Sequence, residues 1–327
     1  VAGMFGLHIG NVYLCSVINT GSMRKYILIF WILGLLAIGA NPLQAQHRAD
    51  RQNLENENSF SMIVLGDPQG YTKYDINQPI FELCTAWIAD NVEHLNIKAV
   101  LCTGDMVEQN ENITMNRKML NQTSREMWES ASRSMARLDG KVPYIISGGN
   151  HDYGYKKAEN SRTNLPEYFP FERNSCWRDC LVTDFPNRNG DISMENAAFE
   201  FHDKNWGDIL VITTEFAPRP EVLDWARELA CSDKYKEHKV IAMTHSYLKH
   251  RSAEYTSNSK YKITPQTSGK DFWDKFVYLC PNVVLVVCGH TGRPGDFEDA
   301  VAYRVDKNVA GRNVHQMMFN VQISGGG

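Results

Sequence analysis

From residue 60 onward, short apolar runs alternate with segments in which apolar residues recur at helical spacing. Short runs that are apolar throughout are typical of strands covered on both faces of a sheet. The runs predict strands at 61–65, 99–102, 142–146, 197–201, 208–213, 239–243 and 283–287. The periodic segments predict helices at 80–95, 124–138, 221–230 and 272–279. Such alternation predicts a layered α/β fold.

Two long segments lack this regular pattern. Residues 153–195 are rich in aromatic residues, proline and asparagine, and residues 246–270 are polar and carry several basic side chains, among them Lys249, His250 and Lys260. Long loops in a compact domain often form lids or rims around a site. A solvated insertion is the alternative interpretation for each segment.

The N-terminal part of the chain predicts export. Met23, Arg24 and Lys25 precede an apolar run at 26–40, which small and polar residues follow, and this order is typical of a secretory signal peptide. The run is shorter than the ~20 residues of a membrane-spanning helix. We therefore expect a signal peptide at 23–45, a linker at 46–59, no stable membrane span, and a secreted or periplasmic location. An uncleaved anchor is the alternative, and 1–22 is a doubtful upstream segment.

Composition excludes few classes of function. Hydrophobic residues make up 43% and charged residues 22% of the 327 residues, which suits a globular protein with a sizeable core. The formal net charge of -4 gives no basic footprint, so we expect no specific nucleic-acid binding. An anionic substrate remains compatible with this charge if bound metal ions supply positive charge.

Five predicted strands end in a residue that can bind a metal. In α/β sheets, ligands bind beyond the carboxyl ends of the strands. Side chains at five such ends would converge on one point if the strands are neighbours. Carboxylates, an amide oxygen and imidazoles together favour Mn, Fe or Zn over calcium. The five residues are Asp67, Asp105, Asn150, His245 and His290.

These motifs resemble the ordered motifs of the calcineurin-like metallophosphoesterases. The stretches at Trp225, 244–248 and 314–316 further resemble a secreted bacterial branch of that family whose first motif is Asp-x-Gln. The resemblance covers 60–327 and implies a four-layered α/β/β/α sandwich with two divalent metal ions. Residues 323–327 look like the approach to a further strand, so we expect the domain to be truncated at its C-terminus.

The resemblance also implies a role for each residue. Asp105 would bridge the two metals, and Asp67 and Gln69 would bind the first. Asn150, His245 and His290 would bind the second. His151 would protonate the leaving group, and Glu108 lies where the family often has an Asp that orients this His.

Three positions depart from the commonest family pattern. Gln69 replaces a His, Gly292 stands where a second His commonly follows Gly-His, and Gln109 stands where protein Ser/Thr phosphatases have an Arg. His315 is a candidate for the missing ligand, the alternative being a strand His that faces solvent. Arg219 is a candidate for contacting the substrate phosphate, with a surface salt bridge as the alternative.

We therefore expect an exported, metal-dependent hydrolase that uses a two-metal-activated water. Its substrate would be a phosphorylated small molecule or a phosphodiester, so both phosphomonoesterase and phosphodiesterase activity stay open. The weakened first metal position leaves an alternative: a catalytically weak metal-binding or surface-binding protein on the same scaffold.

Overall fold

The computed structural model describes residues 53–112, 120–320 and 322, together with the backbone of two strands at 3–9 and 12–18. The predicted signal peptide at 23–45, the linker residues before 53 and the predicted further strand at 323–327 lie outside the described residues. In the part of the chain that is described, no helix combines the length and the apolar character needed to cross a bilayer.

The first sheet has five strands in the order β1-β2-β3-β4-β5. The first two strands pair antiparallel, and the others pair in parallel. The strands are β1 (Gly3–Ile9), β2 (Val12–Ile18), β3 (Ser61–Leu65), β4 (Ile97–Cys102) and β5 (Tyr144–Ile146). The whole of β3 is buried, as its apolar run from Met62 to Leu65 predicts.

The second sheet has seven strands in the order β11-β12-β10-β9-β8-β7-β6. Its centre is parallel, because β10 pairs in parallel with β12 and β9, and β9 with β8. The strands are β6 (Leu181–Asp184), β7 (Ala197–Asp203), β8 (Gly207–Thr213), β9 (Lys239–Met243), β10 (Val283–Cys288), β11 (Val301–Lys307) and β12 (Asn313–Phe319).

Helices cover both sheets. They are α1 (Gln69–Thr72), α2 (Gln78–Asn91), α3 (Ser124–Met135), α4 (Leu165–Tyr168), α5 (Pro220–Cys231) and α6 (Gly269–Phe272), which continues as a π-helix at Trp273–Val277. The start of α3 is fixed by a capping box, in which Thr123 and Glu126 satisfy each other's backbone N–H groups.

The packing of β8 explains the layers. Ile209 and Val211 belong to the core shared with β3, α2 and α3, whereas Leu210 and Ile212 pack with α5 and α6. Because successive side chains of a strand point to opposite faces, both faces of the second sheet are apolar and covered. The α/β class is confirmed, and the two sheets with their helices are consistent with the predicted α/β/β/α sandwich.

Two edge strands of the second sheet escape the pattern that reveals most of its other strands. β6 is half-buried throughout, and β11 alternates between partly buried and exposed residues such as Tyr303. Neither is among the strands predicted from the sequence, because an edge strand lacks the continuous apolar run on which that prediction depends.

Candidate metal centre

The residues at the five strand ends meet at one edge of the two sheets. Asp67 follows β3, Asp105 follows β4, and Asn150 follows β5 in the first sheet, while His245 follows β9 and His290 follows β10 in the second. All five side chains are largely buried. Among the described residues, the group able to hold a metal through His, Cys, Asp or Glu is Asp105, His245 and His290, whose ligand atoms lie within 4.8 Å of one another.

The geometry is centred on the Nε2 atom of His245. This atom lies 3.3 Å from Oδ2 of Asp105 and 3.2 Å from Oδ1 of Asn150. It also lies 3.1 Å from Nδ1 of His290. Four atoms that can each offer a lone pair therefore face one another inside the protein.

A single cation would account for this convergence. Ligand atoms held about 2.0–2.2 Å from a tetrahedral cation lie roughly 3.3–3.6 Å apart. The observed separations of 3.1–3.3 Å are close to that range. Without a shared cation or proton, the lone pairs of these four atoms would repel one another at low local dielectric. The donor set therefore fits a divalent metal.

Hydrogen bonds orient both imidazoles for this role. Nδ1 of His245 lies 2.8 Å from the carbonyl oxygen of Thr103, and since a carbonyl can only accept, Nδ1 keeps its proton and Nε2 is the atom that can offer a lone pair once it is deprotonated. Nε2 of His290 lies 3.3 Å from the hydroxyl of Tyr261, which leaves Nδ1 facing the centre. Partners of this kind typically fix the tautomer of a metal-binding His.

The backbone is strained where it delivers these ligands. Asp105 has φ 51° and His290 has φ 74°, a left-handed conformation that non-glycine residues rarely adopt. A Cβ atom at Gly149 would overlap Asp105, and one at Gly289 would overlap Asp67 and Thr103. Glycine is therefore required at both positions for the strand ends to approach so closely.

Asp67 is held by donors from three other strand ends. Thr103 donates its hydroxyl to Oδ1 at 2.9 Å, and the backbone N–H of His290 donates to Oδ2 at 3.0 Å. The side-chain amide of Asn320, which follows β12, donates to Oδ2 at 2.6 Å. Gln322 approaches the same oxygen at 3.5 Å. The carboxylate is thus fixed in place, with part of its lone-pair capacity already used.

Gln69 presents an unpaired oxygen. Its amide nitrogen donates to the carboxylate of Glu108 at 3.4 Å, and Lys73 lies 3.4 Å from the same oxygen atom of Glu108. The Oε1 atom of Gln69 is buried and has no hydrogen-bond partner. A buried amide oxygen without a partner is costly, and a cation at the first position would satisfy it. The role of Gln69 as a ligand of the first metal stays a prediction.

His151 is anchored at two points. Its backbone N–H donates to Oδ1 of Asp105 at 2.8 Å, and its Nδ1 donates to the carbonyl oxygen of Glu108 at 2.7 Å. The structure thus brings the backbone of Glu108 to His151, while the Glu108 carboxylate contacts Gln69 and Lys73. The orienting function predicted for the Glu108 side chain is carried by its main chain.

Burial and mutual charge set the proton affinities. Burial raises the pKa of Asp67 to about 7, although the charge of His245 opposes the shift. Burial alone would lower the pKa of His245, but the charges of Asp105 and Asp67 outweigh it and raise that pKa to about 9. Burial and the adjacent His245 hold the pKa of His290 well below its usual range. Metal binding would therefore have to displace protons from Asp67 and His245.

Two other candidate residues, Arg219 and His315, form hydrogen bonds with neighbouring protein groups. Arg219 donates to the buried Glu215 at 2.9 Å and to the carbonyl of Pro186 at 2.6 Å, so its contact with a substrate phosphate stays a prediction. His315 lies on β12 with its Nδ1 2.6 Å from the hydroxyl of Tyr303. Asn320, beyond the end of the same strand, is the residue that reaches Asp67.

Sequence reasoning missed Asn320 and Tyr261. Asn320 follows the apolar end of a strand, as the five identified residues do, and this position could have identified it as a candidate site residue. Tyr261 lies in the irregular segment 246–270, where no periodicity indicates which side chains face the centre.

The comparison with protein families decides the identity of the scaffold. The model of the calcineurin-like phosphoesterases matches residues 60–294, well over half of the chain. The chain belongs to the calcineurin-like phosphoesterase family. Membership implies, in general terms, a metal-dependent hydrolase of phosphoester bonds, and the centre described above supplies the ligands for such a metal site.

Similar proteins differ widely in length. The chain is 26% identical over 272 residues to "Uncharacterized protein YvnB" of Bacillus subtilis (strain 168), a match that covers 80% of this chain and 18% of that protein. The chain thus spans less than a fifth of the curated relative that it matches.

Two solved structures are distantly similar. One is a dimetal phosphatase from Danio rerio, with a TM-score of 0.43, 11% identity, and coverage of 80% of this chain and 87% of that chain. The other is GAP50, described as the anchor in the inner membrane complex of Plasmodium, with a TM-score of 0.39, 11% identity, and coverage of 80% and 71%. Neither likeness is close enough to bear on function.

Proposed function

We propose that this calcineurin-like phosphoesterase is an exported hydrolase of phosphomonoesters or phosphodiesters that binds two divalent metals, with Mn, Fe or Zn the best suited. The observation that carries the proposal is the convergence of Asp105, Asn150, His245 and His290 around one point, with separations of 3.1–3.3 Å from Nε2 of His245. The predicted leader at 23–45 supports export.

The second metal position would use those four residues. The first would use Asp67, the unpaired oxygen of Gln69, and Asp105 as a bridge. Bound there, the two metals would neutralise the phosphoryl group and supply a nucleophilic water. The protein's own contribution is to hold the ligand atoms in place through Thr103 and Tyr261, so that little reorganisation accompanies the reaction.

His151 is the candidate proton donor. Its Nδ1 is committed to the carbonyl of Glu108, and its main chain is tied to Asp105, so the ring is fixed beside the centre with Nε2 available. A proton held on Nε2 would pass to the leaving oxygen as the ester bond breaks. General acid catalysis of this kind typically contributes roughly 10²–10⁴-fold to the rate.

One observation favours the alternative of a catalytically weak, metal-binding protein. Asp67 already accepts hydrogen bonds from Thr103, His290 and Asn320, and Gly292 offers no imidazole to the first metal. A weakly held first metal would lower turnover at limiting metal concentration. It would leave binding at the second position intact.

Hydrolysis of a substrate panel tests the proposal. The Mn-loaded protein should hydrolyse at least one member of a panel of phosphomonoesters and phosphodiesters, and His290→Ala should lose that activity together with one bound metal. Metal binding without turnover of any ester would favour the alternative. Equal turnover by the wild type and His290→Ala would show that the reaction takes place elsewhere.

A further inference from the structure

A polar groove lies beside the metal centre, between the loop at 246–270 and the turn that follows β10. Its cavity of about 340 Å³ is lined by residues of both segments, including Lys249, His250, Thr256, Lys260, His290 and Thr291. His290 belongs to the groove and to the metal centre. A ligand in the groove would therefore extend directly from a phosphoryl group bound at the metals.

The charge of the groove is positive because of Lys260. Lys249 is neutralised by Glu254 at 2.9 Å. Lys260 forms no ion pair with an acidic side chain of the described residues, and its Nζ instead lies 5.0 Å from the centre of the Tyr261 ring. Tyr261 in turn contacts His290 at 3.3 Å, so a short chain of contacts places this cation beside the site.

The groove is lined by residues of polar type, and its two sides are tied together. The backbone N–H of His250 donates to the hydroxyl of Thr291 at 2.8 Å, which ties the loop to the turn. Nδ1 of His250 is buried and has no hydrogen-bond partner. Among the described residues that line the groove there is no acidic side chain. A free cation next to polar, non-acidic walls favours an anionic ligand.

We propose that the groove binds a second anionic group of the substrate, a carboxylate or phosphate remote from the ester that is hydrolysed, and that Lys260 supplies the charge that selects it. The inference rests on the proposed function for the position of the reacting phosphoryl group. The cavity is within the size range of small-molecule sites, so the substrate class is a small phosphoester with an additional negative charge.

Non-hydrolysable ligands test binding separately from turnover. The Mn-loaded full chain is titrated by calorimetry with phenylphosphonate, 4-carboxyphenylphosphonate and benzene-1,4-diphosphonate. The second anionic group should tighten binding on the order of fivefold, as expected for one charge pair at a partly exposed site. The carboxylate and phosphonate ligands distinguish the two possible anions: tightening with either supports the proposal and names the anion, and tightening with neither overturns it.

The variants are Lys260→Gln and, as a matched control, Lys262→Gln, an exposed lysine two residues away that does not line the groove. Lys260→Gln should abolish the preference for the second anion, whereas Lys262→Gln should keep it. A preference that survives Lys260→Gln, or that both variants lose equally, overturns the proposal.

The phosphate esters that correspond to these phosphonates show how Lys260 affects hydrolysis. For an ester with a remote carboxylate, Lys260→Gln should raise KM on the order of fivefold more than it does for phenyl phosphate. If none of the esters is hydrolysed while the phosphonates bind in a Lys260-dependent way, the proposed function fails and the anion site stands. If the enzyme is active and its KM for the carboxylate ester is the same in the wild type and in Lys260→Gln, the proposed anion site is contradicted.

Discussion

Replacement of Asn320 by Ala should weaken the first metal selectively. The side-chain amide of Asn320 is fully buried and donates to Oδ2 of Asp67 at 2.6 Å, the shortest of the side-chain bonds to this carboxylate. Hydrogen bonds to charged groups contribute about 1.5–3 kcal/mol. Loss of this bond disfavours the carboxylate form of Asp67, whose pKa burial already raises to about 7. It also frees the side chain to turn away from the metal.

The expected magnitude is a rise of about 10–100-fold in the Kd of the first metal, in line with the effect of removing other groups that orient metal ligands. The second metal should bind as in the wild type, because within the described part of the chain the Asn320 side chain donates to Asp67 and to none of the four residues of the second position. The assay is calorimetric titration of chelator-treated protein with Mn²⁺, which separates a tight step from a weak one.

The matched control is Asn282→Ala. Asn282 is also buried, and its amide donates to the carbonyl oxygens of Ala230 and Tyr235, on the face of the second sheet that α5 covers. It should reduce the free energy of unfolding and leave both metal affinities unchanged. If Asn320→Ala binds both metals as tightly as the wild type, or if both variants weaken the metals equally, the assignment of Asp67 to a distinct first site is wrong.

The remaining predictions concern protons, the leaving group, the ligand set and the leader. Apparent Mn²⁺ affinity should rise with pH, because a metal must displace the protons of Asp67 below about pH 7 and of His245 below about pH 9. When the affinity is measured from pH 6 to 10, it should rise most steeply below pH 7 and level off above pH 9. An affinity that does not change with pH would contradict this prediction. His151→Asn should slow alkyl phosphates far more than nitrophenyl phosphate, whose leaving oxygen needs little protonation; equal losses with a lowered metal content would make His151 a ligand. Gln69→His should tighten the weak metal in a calorimetric titration, since imidazole is the better donor to later transition metals; an unchanged affinity would place Gln69 outside the site. Expression with the leader should yield exported protein that begins near Gln46 by N-terminal sequencing, whereas full-length protein in the membrane fraction would favour an anchor.

Five candidate metal ligands could be predicted from the sequence because each follows an apolar run within a strand. The run at Val283–Cys288 and the Gly-His pair after it, for example, fix both the sheet position and the ligand. Parallel strands bring their carboxyl ends to one edge of a sheet, which predicts convergence within each sheet. The structure adds that the ends of the two sheets meet at one place. The structure shows this for Asp105, Asn150, His245 and His290.

The supporting contacts could not be predicted in the same way. The carbonyl of Glu108 reaches His151 because the backbone turns after Asp105, and no side-chain pattern encodes that approach. Tyr261 and Lys260 lie in an irregular loop whose path depends on tertiary packing, such as the bond between His250 and Thr291. Loops of this kind often determine which substrate a protein binds, but they lack the apolar periodicity from which helices and strands are predicted.

Metal dependence of phosphoester hydrolysis tests the central claim most directly. The measurement is the rate of nitrophenyl phosphate hydrolysis after exhaustive chelation and after re-addition of Mn, Fe or Zn, with the metal content determined by elemental analysis at each stage. The convergence of Asp105, Asn150, His245 and His290 predicts that chelation abolishes turnover and that at least one of these metals restores it. Full activity in protein that contains no metal would contradict the account.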